Sequence, residues 1–575
     1  MHAHLSAHAL AMMALWAGAA AHDCCWCDKN TPESEMTTVG RDKATYDLVF
    51  SDEFNEEGRD FANGKDTKWT ALKIGDTSNH GAAFYLPEQA KVGTDPNFTD
   101  ISALVITTAN KPFTGDGPEG ETNVFMPYSS AMLQTWNKFC FTGGILEFRA
   151  RQPLGAGYWP ALWAFGNLGR AVYQPSNTGL WPWSYDECDA DLELPPNDPP
   201  QRISACMDQP DDSGLHPFQG RGATELDVLE GAVSNDGEHS YVVGSLQLSP
   251  GLPKYFKPPM FTFPTREGAG SWYTGLSFGG DGLPNNGWYG PPWGSSCPTG
   301  CPDALSGGIT EKNTLHSRYW LYRMEWIPGP EGHISWIYDG KFIWGMDASS
   351  FGEYSVCTKT NLGETCKRTP SRMIPQEPMS LVMNTAIGTW NGGAGALDGK
   401  HWPALFFIDY VRVYQKKEDT NVGCNPPDFP TKTYIEKNKE LFGEWVTPTG
   451  YETCPEQYPD AAYKNAEAIK ARAAKLRLVS VDQRTPQSYG FAGKAQVLLS
   501  LGTQQPASTA SSSRSVAPIA ALLMVVVGVA GFTWRRASLA SSYSAYTPSV
   551  LSSLTEPLAE DELSGEYQLA QEARP

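Results

Sequence analysis

Glu225, Asp227 and Glu230 stand in the segment GATELDVLEGA (residues 222–232) as an E-x-D-x-x-E pattern. On a β-strand, residues two apart share a face, so Glu225 and Asp227 point the same way. Glu230, five residues from Glu225, would point the other way. A one-residue bulge at Val228-Leu229 restores the phase and returns Glu230 to that face. Three carboxylates on one face repel, and at least one must hold its proton more tightly than a free carboxyl does. A glycosidase needs that setting. One carboxylate stays ionised as nucleophile, and another stays protonated to release the leaving group. Asp227, between them, would bond the nucleophile and help keep the acid protonated. The same spacing also fits a solvated acidic strand face or an oxygen-lined cation site. A helix would put Glu225 and Glu230 on different faces, and nothing flanking supports one.

Indoles accompany the triad. Trp159 and Trp163 lie in GYWPALWAFGN (157–167), and Trp136 lies in TWNKF (135–139). Sugar rings present apolar C–H faces that stack on such side chains in clefts set by a few polar groups. These three tryptophans are therefore candidate substrate-binding residues, and core positions are the competing reading, for Trp163 above all.

The elements that must hold these residues read as strands. ALVITTA (103–109) is a buried run, and GGILEFRARQ (143–152), RYWLYRMEWI (318–327) and FFIDYVRVYQ (406–415) alternate apolar with polar. HISWIYDGKFIWGM (333–346) places Asp339-Gly340 between two apolar-aromatic stretches, a strong two-residue hairpin signal. No long 3.6-residue period intervenes between residues 45 and 416. The expected fold is all-β, an antiparallel β-sandwich with long loop insertions. Residues 166–222 and 249–315 are polar and Pro-rich, too long for ordinary connections, and read as walls or lids outside the sheets. YKNAEAIKARAAKLRL (463–478) reads as a helix within a connector (446–501).

The two ends have their own signals. Residues 5–21 are apolar and close on small residues, so 1–21 reads as a secretory signal, with a Cys-containing segment (22–44) behind it. Residues 516–534 are uncharged and apolar. As one C-terminal transmembrane helix they would span about 28 Å, enough for a bilayer core. Arg535 and Arg536 follow at once and place residues 535–575, an acidic, Ser-rich, disordered tail, in the cytosol. A Ser/Thr-rich stalk (502–515) precedes the span. The chain thus reads as a single-pass type I protein of the secretory pathway, in the endoplasmic reticulum, Golgi or plasma membrane, with its sandwich lumenal or extracellular.

Composition agrees. The 575 residues carry 44 basic against 64 acidic side chains, a net charge of −20, which disfavours nucleic-acid binding and suits a neutral glycan. The 56 Gly, 44 Pro, 19 Trp and 24 Tyr favour turns and aromatic surfaces over a helical bundle. All 12 Cys lie between Cys24 and Cys454, on the secretory side of the apolar span, and read as disulfides. Proximity suggests Cys188 with Cys206 and Cys357 with Cys366. The trio Cys24, Cys25 and Cys27 also allows metal binding, with disulfides the simpler reading. Asn97-Phe98-Thr99 is a glycosylation acceptor, so Asn97 is expected at the surface.

At this level of detail the chain resembles glycoside hydrolase family 16, and within it the fungal-type β-glucan-synthesis-associated proteins. The stretches that carry the resemblance are SDEFN (51–55), MLQTWNKFCFTGG (132–144), GYWPALWAFGNLGRA (157–171), GLWPWSYDECD (179–189), QRISAC (201–206), GRGATELDVLEG (220–231), SLQLSP (245–250), IPQEPMSLVMN (374–384), FIDYVRVYQ (407–415) and VGCNPPDFPTKTYIE (422–436). They run in order over residues 45–445. The resemblance implies a concanavalin-like β-jelly-roll, a glucan-binding cleft and retaining chemistry. It implies Glu225 as nucleophile, Asp227 as assisting residue and Glu230 as acid/base. It puts Asn384 and Gln247 at cleft positions and Asp409 at a structural calcium site. It implies no required cofactor and allows a structural calcium. Two departures stand out. Gln247 occupies a place where many secreted members carry His, and the apolar span follows the domain where fungal relatives place theirs before it. Two functions compete: a membrane-anchored β-glucan glycosidase or transglycosylase serving β-1,3/β-1,6-glucan synthesis beside the synthesis machinery, and a non-catalytic β-glucan-binding scaffold.

Overall fold

The Asp339-Gly340 signal closes a hairpin. Strands His333–Tyr338 and Lys341–Asp347 pair antiparallel across those two residues, whose φ angles are 47° and 73°. Both lie in the left-handed region, as a two-residue turn matching the twist of the strands requires. In the computed structural model, residues 24–188, 201–251, 276–284, 302–360, 363–369, 371–443 and 454–477 are described. The signal-like start, the stalk, the apolar span and the tail lie outside them. Among the described residues no helix is long and apolar enough to cross a membrane.

Two sheets form the sandwich, and every pairing within them is antiparallel. One runs Thr37–Val39, Thr45–Asp52, Ala404–Gln415, Gly144–Arg151, Trp320–Ile327, His333–Tyr338, Lys341–Asp347, Leu276–Phe278, with Ala90–Asp95 and Phe98–Thr108 joined to the side of Ala404–Gln415. The other runs Leu283–Pro284, Asp303–Glu311, Ser240–Leu248, Glu225–Val233, Trp159–Gly166, Met379–Ala386, Met132–Gln134, Thr70–Ala71. Alternation explains the layering. Leu146, Phe148, Val411 and Val413 from the first sheet meet Leu162, Leu226, Leu246 and Leu381 from the second in one core. Each fully buried side chain of this size contributes about 1.5–3 kcal/mol relative to exposure.

One expectation is corrected. Residues 249–315 are not wholly an excursion, because Leu276–Phe278 and Asp303–Glu311 are sheet strands. Sparse polar residues and glycines at 303–311 hide the alternation that would have marked the second.

The 166–222 excursion builds a second core. Leu168, Ala171, Tyr173, Leu180, Ile203 and Leu215 pack with Tyr434, Ile435 and Phe442 from the short helical turns at Lys432–Lys437 and Lys439–Phe442. Arg221 pins it to the sandwich through Glu377, with both nitrogen–oxygen contacts at 2.7 and 2.8 Å and a third bond from Arg221 to the Pro430 carbonyl. Arg221 is 1% exposed and Glu377 5%. Removing one partner strands a buried charge, so Arg221→Met is expected to destabilise the protein by about 3–5 kcal/mol. Chemical denaturation checks this; a loss within about 0.5 kcal/mol would mean the pair is dispensable.

Disulfides close the ends. Cys188 bonds Cys206 within the excursion, Cys140 bonds Cys424, Cys24 bonds Cys27, and Cys25 bonds Cys454. The trio of early cysteines thus holds disulfides and no metal. Cys357 and Cys366 face each other in the register of strands Tyr354–Thr360 and Gly363–Thr369, though their side chains lie outside the described set. The connector helix forms at Asp460–Arg477.

Candidate active site

The Glu225–Val233 strand carries the expected bulge. Asp227 pairs with Ser245 and Glu230 with Val243, so Val228 and Leu229 together oppose Gly244. Val228 and Leu229 are both fully buried in the core, while Glu225, Asp227 and Glu230 share the opposite face. The bulge leaves the carbonyls of Asp227 and Val228 facing the sandwich interior. Trp336 donates its indole N–H to the first and Tyr338 its hydroxyl to the second, each at 2.8 Å. Gly244 makes room for this support: a Cβ there would stand 2.2 Å from the Trp336 ring.

On the cleft face, Glu225 accepts from the Trp181 indole N–H at 2.7 Å and from the Gln247 amide at 3.0 Å. Glu230 accepts from the Trp159 indole N–H at 3.1 Å and from the Ser245 hydroxyl at 3.4 Å. Ser245 shares that single hydroxyl proton with Asp227, which accepts the shorter bond. Glu225 and Glu230 are half-buried, and Asp227 is 2% exposed. Burial pushes all three carboxyls up: Glu225 and Glu230 well above the ordinary range, where the charge of Asp227 adds to it, and Asp227 to about 6.

This has a stability consequence. A carboxyl whose folded pKa lies above its unfolded value binds more protons when folded, so its ionisation opposes folding as pH rises. For Asp227 the window runs from its ordinary 3.8 to about 6. Asp227→Asn is therefore expected to gain stability relative to the parent between pH 4 and pH 6–7, by up to about 3 kcal/mol. Urea unfolding of both proteins across that range checks the sign; a difference constant with pH would refute it.

The other expected residues divide. Trp159 and Trp163 stay half-buried on the cleft face. Trp163 donates to Asn384 at 2.8 Å, and Trp159 stacks on Trp390 with ring centroids 5.6 Å apart. Gln247 sits in the cleft against Glu225. Trp136 does not reach the cleft: it is 2% exposed, stacked on Phe442, and donates to the Asn167 carbonyl. The excursion covers it, and spacing alone does not show which side of the sheet such a wall buries. Asn384 is 5% exposed and committed to Trp163 and to the Tyr85 hydroxyl, so it orients an indole and presents no free amide. Trp181, Ser245 and Trp390 were missed. Trp181 lies in GLWPWSYDECD, and Ser245 opens SLQLSP, two residues before Gln247 on the same strand face; either could have been found from those positions.

Asp409 pairs with the Arg149 guanidinium. Its carboxylate is thus partnered by a cation already, and among the described residues no three His, Cys, Asp or Glu side chains converge on a common point. Asn97 is exposed in the hairpin between Ala90–Asp95 and Phe98–Thr108, open to a glycan.

Comparison with known proteins adds independent findings. The family model described as beta-glucan synthesis-associated protein SKN1/KRE6/Sbg1 matches residues 17–462. The chain is 31% identical over 474 residues to the beta-glucan synthesis-associated protein KRE6 of Saccharomyces cerevisiae, covering 79% of this chain and 57% of that one. It is 32% identical over 443 residues to KRE6 of Candida albicans, covering 72% and 52%. The chain thus spans about half the length of the curated relatives it matches. Among solved structures, the endo-beta-1,3-glucanase of Pyrococcus furiosus is similar at 16% identity, covering 66% of this chain and 98% of that one, with a TM-score of 0.36.

Proposed function

Since the chain belongs to the SKN1/KRE6/Sbg1 family of beta-glucan synthesis-associated proteins, we propose that it is a retaining β-glucan glycosidase or transglycosylase that remodels β-1,3/β-1,6-glucan during its synthesis. One observation carries the reading. Glu225 and Glu230 flank a buried Asp227 on one strand face, brought into phase by a bulge that the opposite sheet supports.

Hydrogen bonding divides the roles. Glu225 accepts two bonds within 3.0 Å, which favour its anion. Glu230 accepts one at 3.1 Å and a longer one. We assign Glu225 as the nucleophile, its two donors working against the burial and the neighbouring charges that hold its proton on, and Glu230 as the acid. In the first step Glu225 attacks the anomeric carbon, the glycosidic C–O bond breaks, and Glu230 gives its proton to the departing oxygen. In the second, Glu230 takes a proton from water or from a sugar hydroxyl, whose oxygen displaces Glu225 from the same carbon. Each step inverts that carbon, so the net result is retention. The charge of Asp227 holds the proton on Glu230. Trp159 and Trp163 offer ring faces to the glucan.

The same proposal places the sandwich on the lumenal or outer side of a membrane, anchored by residues 516–534, beside the glucan-synthesis machinery. Product analysis of the full chain on β-1,3- and β-1,6-linked glucan oligomers tests the activity. New shorter or longer oligomers with retained configuration support it. Binding without any turnover would instead favour the scaffold.

A further inference from the structure

The cleft face of the second sheet is open over only part of its width. On the Met379–Ala386 strand three residues of that face are shut off, Ser380 and Val382 at 1% exposed and Asn384 at 5%, while Ala386 at the strand's end is half-buried. On the next strand, Met132 and Gln134 are 2% and 1% exposed. Two groups cover them. Leu72, Ile74 and Tyr85 lie over one end, and the excursion lies over the other, with Ala171 and Arg170 bonded to Gln134. The half-buried rings of Trp163 and Trp181 pack against this second core. In the other direction the face continues: Tyr241, Gln247 and Ser306 are half-buried and Thr310 is exposed.

The carboxylates sit close to the closed side. The Glu225–Val233 strand is two strands from Met379–Ala386, a separation of about 10 Å at the usual spacing. A glucan lying across the strands has room there for a short chain end and none for a continuing polymer. Along the strands, Trp390, bonded to the Gly231 carbonyl, bounds the cleft beyond Glu230, and Trp181 bounds it beside Glu225.

We propose that this cleft is closed at one end, so that the protein takes β-glucan by a chain terminus and does not bind within the polymer. The wall formed by residues 168–181 with Ile203 and Leu215, and by Leu72, Ile74 and Tyr85, is then the specificity-determining element. This rests on the reading of the cleft as a β-glucan site. It adds that one terminus of the bound chain is enclosed.

Binding of end-tagged oligosaccharides tests it without requiring turnover. The probes are β-1,3-linked glucan oligomers, untagged or carrying a bulky aromatic tag on the reducing or the non-reducing sugar, titrated into the full chain with Glu225→Gln. One tag should weaken binding by about 100-fold or more and the other by less than about 3-fold, since a clash excludes the wrong ligand while solvent tolerates the other. Equal binding of both tagged series would overturn the closed end and leave the glucan reading intact. No binding of the untagged oligomers would overturn both.

Discussion

Glu225→Gln is expected to abolish turnover of β-glucan oligomers, lowering kcat/KM by a factor on the order of 10⁴ or more. An amide cannot form the glycosyl ester, and it replaces the carboxylate on which the Trp181 and Gln247 donors converge. Its oxygen can still accept one of those bonds, so folding and oligosaccharide binding should persist. Stopped assays of oligomer consumption check the rate, and calorimetric titration checks binding. Activity within about tenfold of the parent would remove Glu225 from the mechanism.

Glu230→Gln is expected to act differently. On natural glucan linkages, whose departing oxygen needs a proton, the rate should fall by about 10²–10⁴-fold. On aryl β-glucosides with acidic phenols the first step should be nearly spared, because such leaving groups need little protonation. The pH profile supplies a second readout. The acid works only while protonated, so activity falls as pH rises through its raised pKa, and that alkaline limb should vanish in Glu230→Gln. Equal losses on both substrate types would assign the proton to another group. These limbs report the coupled cluster of three carboxyls and not one side chain.

How far the chain could be read before its structure was known depended on where the determining interactions lie. The bulge was legible because it is local: the phase of E-x-D-x-x-E on a strand demands an extra residue, and Val228 with Leu229 opposite Gly244 supplies it. The alternating strands and the Asp339-Gly340 turn were legible for the same reason. What escaped was long-range. Trp336 and Tyr338 support the bulge from more than a hundred residues away, and no spacing announces that. Trp136 and Trp159 looked alike in sequence, yet the excursion and Phe442 bury one while Glu230 and Trp390 hold the other at the cleft. Trp181 lay in a stretch whose family likeness was clear and whose contact with Glu225 was not. Asp409 shows the same limit: its pairing with Arg149 on the neighbouring strand is a contact that no spacing announces.

The central claim is that Glu225 bonds covalently to the sugar while Glu230 moves the proton. Trapping that bond tests it most directly. A 2-deoxy-2-fluoro-β-glucosyl or laminaribiosyl donor with a good leaving group slows both steps, and the second more when its acceptor is poor. Incubation with the full chain, proteolysis and mass analysis of the peptide containing residues 225–230 should then find the fluorosugar on Glu225, and none on the same peptide from Glu225→Gln. Label on Glu230 or Asp227, or a product of inverted configuration from the natural substrate, would contradict the account.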